Sequence, residues 1–212
     1  MELKDKIEII TMVIGAICTI ITLWFGFAQI KSTLKEQRFS NRLELADDMV
    51  NEYISLSEEA GKAAFYIVAD ANNQAEKYKE YSDSGEKHAE ALEKMKNKIL
   101  AYGSTSLVSL FFDSYNDVQV KIKNGKENFE SYKNYFYYMP LIAAYIKYDL
   151  TGEKVNPSIF YNSCMKELKN LEVAIGMEDF HEKLIYTNNQ LVKKYRLSNE
   201  FIWKEYSKEF EK

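Results

Sequence analysis

Between Ile9 and Ile30 the chain runs 22 residues without a charge, IITMVIGAICTIITLWFGFAQI. Coiled as an α-helix, this stretch would be roughly 33 Å long, enough to cross a hydrocarbon core of about 30 Å. A cleaved signal peptide would carry a shorter apolar region, about 7–15 residues, with small residues at the cleavage site. Here the run ends Gly-Phe-Ala-Gln-Ile-Lys and shows no A-x-A pattern. A buried helix of a soluble core would rarely go so far without a charge. The expectation is an uncleaved single-pass signal anchor.

The flanks set its direction. Before the run stand Glu2, Lys4, Asp5, Lys6 and Glu8; just after it come Lys31, Lys35, Glu36, Arg38 and Arg42. The Lys/Arg excess marks the cytoplasmic side, which places the N-terminus outside and the large C-terminal part in the cytoplasm of a bacterial inner membrane. Trp24, Phe25 and Phe27 sit near the cytoplasmic end, where an aromatic belt belongs. Cys164, alone in the C-terminal part with Cys18 inside the run, fits a reducing compartment.

A second pattern lies within the run. Thr11, Gly15, Thr19, Thr22, Gly26 and Gln29 recur at intervals of three and four and so share one helix face. Ile9, Ile14, Ile17, Ile20, Leu23 and Phe27 occupy the opposite face, as a lipid-facing surface would. Small residues let helices approach closely in a bilayer, and polar side chains there favour hydrogen bonds between helices. The face therefore suits self-association into a homo-oligomer, packed dry or lining water. Thr and Gly satisfied within their own helix are the plainer alternative.

Residues 31–212 are numerous enough to bury a sizeable core. With eight glycines and two prolines in 212 residues, a turn-rich β fold is disfavoured. Gly61, Gly85, Gly103, Gly125, Gly152 and Gly176 are spaced like helix ends. Leu34, Leu45, Met49, Tyr53 and Leu56 outline a long first helix. Ala89, Leu92, Met95 and Leu100 outline another, followed by Leu107, Leu110, Phe111, Tyr115 and Val118. Asn156 before Pro157 reads as a helix cap with proline at the first helical position. Pro140, inside a helical stretch from about Phe129 to Leu150, predicts a kink or break. The stretch 72–86 is the most loop-like. The predicted fold is all-α: a tail and transmembrane helix over 1–30, a juxtamembrane stalk helix over 31–60 and a cytosolic helical domain over 61–212.

Charge is unevenly spread. The chain carries a net −4, which argues against a nucleic-acid-coating surface, yet residues 43–94 alone hold 13 acids and 5 bases. Glu44, Asp48 and Glu52 fall four apart with Asp47 beside them. In a symmetric oligomer they would stack as acidic rings, a vestibule drawing cations to a pore mouth. A solvated helix face is the ordinary alternative.

Signals for catalysis are poor. No glycines are close enough for a phosphate cradle, and neither a nucleophile elbow nor a zinc-helix motif occurs. Glu178 and His181 have the spacing of a bundle metal pair, but the second such pair that a di-iron site needs is missing. No enzyme activity, cofactor or metal is expected. Aromatics thicken at SYKNYFYYMPLIAAYIKYDL, where Tyr135, Tyr137 and Tyr138 stand near Lys133 and Lys147. Rings interleaved with bases stack on and hold the bases of a nucleotide or single strand; tyrosines packed in a bundle core give the same pattern.

The segment ILAYGSTSLVSLFFDSYN (Ile99–Asn116), a helix–Tyr102-Gly103-Ser104–helix element, resembles a loose group of bacterial single-pass proteins of unassigned function. It covers under a tenth of the chain; Gly103 would end one helix and Ser104 or Thr105 would cap the next. The overall plan of short span, basic juxtamembrane helix and helical domain is similar to small membrane effectors of anti-phage defence, including the channel-like effector of the Hailong system. That resemblance implies an oligomeric channel in abortive infection, held shut until a nucleotide or single-stranded oligonucleotide signal made by a partner enzyme changes. It carries over no specific binding residue. Two functional expectations follow: an ion channel or pore gated by its cytosolic helices, or a non-conducting anchor that presents a helical interaction domain at the membrane.

Overall fold

The computed structural model describes the backbone of residues 3–123, 129–166 and 180–204 and the side chains of 22–116, 135–166 and 180–204. Thr11, Gly15, Thr19, Lys133 and Glu178, singled out above, have side chains outside these described residues.

Within them all regular structure is helical, so the fold is all-α. The order is α1 (Leu3–Ala71), a 3-10 helix (Ala75–Tyr81), α2 (Ser84–Tyr102), α3 (Thr105–Lys123), α4 (Phe129–Thr151), α5 (Pro157–Ser163), α6 (Phe180–Lys194) and a last 3-10 turn (Asn199–Phe201). The chain divides into two units, Met1–Glu44 and Leu45–Lys212. Among the described residues no helix is long and apolar enough to cross a membrane; the side chains of the uncharged run lie outside them as far as residue 21.

The division after Glu44 differs from the stalk boundary expected at residue 60, and burial explains it. Ala46, Met49, Tyr53, Leu56, Ala60, Ala63 and Ala64 are all buried, at helical spacing. From Leu45 onward α1 is therefore part of the packed unit. Gly61 also lies within α1 and ends nothing.

In the second unit α4 occupies the centre. From Tyr135 to Ile146 every described residue but the half-buried Tyr138 is buried, so this helix is apolar on all sides. It packs on α3, α5 and α6. Pro140 lies inside α4 without interrupting it. The expected break does not occur: packing on every side outweighs the one backbone hydrogen bond that proline withholds. Gly152, at φ +78°, ends α4 in the left-handed region, and its N–H donates to the Tyr148 carbonyl at 2.7 Å.

The buried stripe of α2 is Ser84, His88, Leu92, Met95 and Ile99. Ala89 and Leu100, expected in it, are exposed. The stripe is set one residue earlier at each end because α2 buries a polar His and Ser that hydropathy alone would turn outward. At α5 the Asn156 side chain accepts from the Ser158 N–H at 3.1 Å, with Pro157 at the first helical position, as the sequence predicts.

Candidate functional site

Within the first unit, residues 22–44 of α1 leave large apolar side chains in the open. Trp24 is 68% exposed and Phe27 77%, with Leu23, Phe25 and Ile30 at 60% or more. Burying them would recover about 1.5–3 kcal/mol for each large aliphatic or aromatic side chain, so this surface asks for a covering that the described residues do not supply. Of the expected packing face, Thr22, Gly26 and Gln29 are described; all three are accessible and share one side of the helix. Gly26, Gln29, Ile30, Thr33 and Leu34 line a shallow recess on it. Thr33 was missed as a member of this face. It continues the same four-three-four spacing past Ile30, where the run of uncharged residues stops and attention to polarity stops with it.

A β-carbon placed on Gly26 would meet nothing within 4 Å. The helix itself does not need glycine there, since glycine inside a helix is unfavourable by roughly 1 kcal/mol against alanine. Close approach by something outside the chain is what a bare backbone at this position provides.

The acidic residues are placed as follows. Glu44 is exposed in the first unit; Asp47, Asp48 and Glu52 are exposed in the second. Met49, Tyr53 and Leu56 take the core side of the helix there, which turns Asp47 and Asp48 outward. Glu52 is not a free acid: it accepts from Lys98 Nζ of α2 at 2.6 Å.

The described members of the aromatic cluster do not gather on one surface. Tyr135 is 0% exposed and Tyr137 is buried, while Tyr138 is half-buried. Lys147 pairs with Glu153 at 3.0 Å. The rings of Tyr135 and Tyr137 pack against Phe136 and Phe180 and offer no face on which a base could stack. Their spacing is that of a core helix.

Sequence reasoning did not find the polar group that Tyr135 joins. His88 Nε2 lies 3.5 Å from the Tyr135 hydroxyl, inside the core. Burial pushes the His88 imidazole down to about 4, against the smaller upward pull of Glu59. The Tyr53 hydroxyl is buried without a hydrogen-bond partner and is raised by burial and by Tyr135. Glu59 pairs with Lys62 at 2.8 Å, while its other carboxylate oxygen is buried without a hydrogen-bond partner. With His88 and Tyr135 closed to solvent, this group holds α1, α2 and α4 together rather than meeting a substrate. A second polar group joins α3 to α6, where the Asp113 carboxylate accepts from Lys194 and from the Tyr195 hydroxyl. Burial opposes ionisation of Asp113, but these two donors prevail and hold its carboxyl below the usual range.

His181 lies in the first turn of α6 with its ring against Tyr161 and Trp203. Cys164 caps α5 and is partly buried. Among the described residues no three His, Cys, Asp or Glu side chains gather to hold a metal ion. Comparison with protein-family models, curated proteins and solved structures finds no match to this chain.

Proposed function

We propose that this protein is a membrane-anchored homo-oligomer whose N-terminal helices associate through the Thr/Gly/Gln face and form an ion-conducting path, controlled by the helical unit. The observation that carries the reading is the exposed stretch of α1 from Thr22 to Leu34, where Gly26, with Thr22, Gln29 and Thr33 around it, is flanked by uncovered Trp24, Phe25 and Phe27. Apolar residues facing lipid and small polar residues facing one another would satisfy both sides. At about 100° per residue, Glu36 and Glu44 fall on the same side as this seam, which supports a cation-attracting interior. Asp47, Asp48 and Glu52 belong to the second unit, where Glu52 is shared with Lys98.

The resemblance to anti-phage effectors supports a role in abortive infection at the bacterial inner membrane, with a nucleotide or single-stranded oligonucleotide from a partner enzyme as the controlling signal. Tyr135 and Tyr137 are buried and present no stacking surface to such a signal. Purified protein in lipid vesicles should release trapped ions, and exchange of residues 1–30 for an unrelated span should abolish that release and the attendant cellular toxicity. Retention of function after the exchange would instead favour a non-conducting anchor. The exposed Leu100, Tyr102 and Tyr186 in the helical unit are what favour that second reading, as a place for a partner.

A further inference from the structure

The four bases after the uncharged run do more than mark a side of the membrane. Lys31, Lys35, Arg38 and Arg42 follow one another at intervals of four, three and four, so they lie within an arc of about 60° on α1. Trp24 falls in the same arc. All five are exposed, and none of the four bases makes an ion pair with a described residue. Glu36, the acid among them, stands about 100° or more away around the helix and accepts from Ser32 Oγ at 3.4 Å. The spacing sets like charges at i,i+3 and i,i+4 three times over, an arrangement that destabilises a helix left alone in water. The rule that sets topology counts bases near the span and is indifferent to their face. A one-sided array asks for an anionic surface on that side.

Its position around the helix says which surface. The stripe is centred about 180° from the seam of Thr22, Gly26, Gln29 and Thr33. If copies meet through the seam, the bases point outward to the surrounding lipid. Lys31, Lys35 and Arg38 begin within about 12 Å of Ile30 along the axis, and helical side chains lean toward the N-terminus, here back toward the bilayer. Long basic side chains extend to headgroups in this way. Trp24 on the same side suits the interfacial belt, and such anchors fix the direction in which a helix tilts.

We infer that the face formed by Trp24, Lys31, Lys35, Arg38 and Arg42 binds the phosphates of anionic phospholipids and sets the side toward which α1 leans. This rests on the reading of residues 9–30 as a membrane segment. The test uses the full chain in phosphatidylcholine vesicles carrying a minor fraction of brominated lipid, either phosphatidylglycerol or phosphatidylcholine, and reads quenching of tryptophan fluorescence. Brominated phosphatidylglycerol should quench at a several-fold lower fraction than brominated phosphatidylcholine, and added salt should shrink the difference. The combined variant Lys31→Gln/Lys35→Gln/Arg38→Gln/Arg42→Gln should abolish it; Arg38→Lys/Arg42→Lys, with charge conserved, should keep it. Equal quenching by the two lipids in the unaltered chain, or a preference that survives the four glutamines, overturns the inference and leaves the membrane reading standing. Quenching by neither lipid removes both. Binding of a single-stranded oligonucleotide that the four substitutions abolish, with no lipid preference, assigns the stripe to nucleic acid and overturns it as well.

Discussion

A β-carbon added at Gly103 would lie 2.7 Å from the Ile99 carbonyl oxygen and 3.2 Å from Leu107 Cδ2, although φ −79° and ψ 147° suit any residue. The obstacle is space, because the Gly103 N–H donates to that same carbonyl and α3 starts at once, with Ser104 Oγ accepting from the Leu107 N–H at 3.3 Å. Gly103→Ala should therefore cost about 1–3 kcal/mol, read as a lower urea midpoint of the full chain. The sequence marked Gly103-Ser104 as a helix junction, and it is one; the reason for glycine there required the neighbours. His88 shows the opposite case, since its helical spacing from Leu92 was visible but its polarity hid its place in the core. Buried and neutral with its imidazole near 4, it takes up a proton less readily folded than unfolded. Stability should be intact above the unfolded value of about 6.5 and fall as pH drops from there toward 4, by about 3 kcal/mol in all. His88→Phe should flatten that part of the pH–stability curve; an unaltered slope would place the titration elsewhere.

Among the elements, the 3-10 turn Asn199–Phe201 is held by side chains rather than by a helix of its own. Asn189 Nδ2 donates to the Trp203 carbonyl at 3.0 Å, and the Trp203 N–H returns to Asn189 Oδ1 at 2.8 Å. Asn188 Nδ2 donates to the Phe201 carbonyl at 2.9 Å, and Asn156 Nδ2 reaches the carbonyls of Glu200 and Ile202. Phe201 and Trp203 are thereby seated on Tyr145, Tyr148 and Tyr161. Asn189→Ala should cost about 1–3 kcal/mol, since it leaves the Trp203 groups unpaired, and should speed hydrogen exchange in 199–203. Uniform exchange across the mutant and the parent chain there would contradict the clamp. None of this was legible beforehand: the Asn188-Asn189 pair is written as ordinary polar residues, and its partners are backbone atoms more than ten positions away. Helix class and the Asn156-Pro157 start were legible because each depends on neighbours within a turn or two. The uninterrupted passage of α4 through Pro140 was not, because packing from three other helices decides it.

At the scale of the molecule, two surfaces of α1 have contrary needs. Past Leu45 the helix buries Met49, Tyr53, Leu56 and Ala60 in its own unit, while between residues 22 and 44 it exposes Trp24, Phe25 and Phe27 with a bare Gly26. The periodicity of the seam was readable because it needs only the helical repeat. The fate of the tyrosine cluster was not, since aromatics spaced for a ligand and aromatics spaced for a core look alike until the surrounding helices are known. Self-association through the seam and conduction along it form the central claim. Ion release from vesicles tests it most directly when the unaltered chain is set beside Gly26→Leu and Phe27→Leu. Beyond its own turn of helix backbone, a β-carbon at Gly26 meets nothing within 4 Å, so the expected result for Gly26→Leu is loss of release and of the oligomer with the folded helical unit retained. Phe27→Leu, on the side proposed to face lipid, should release ions as the parent does. Full release by Gly26→Leu, or no release by the unaltered chain, would contradict the claim.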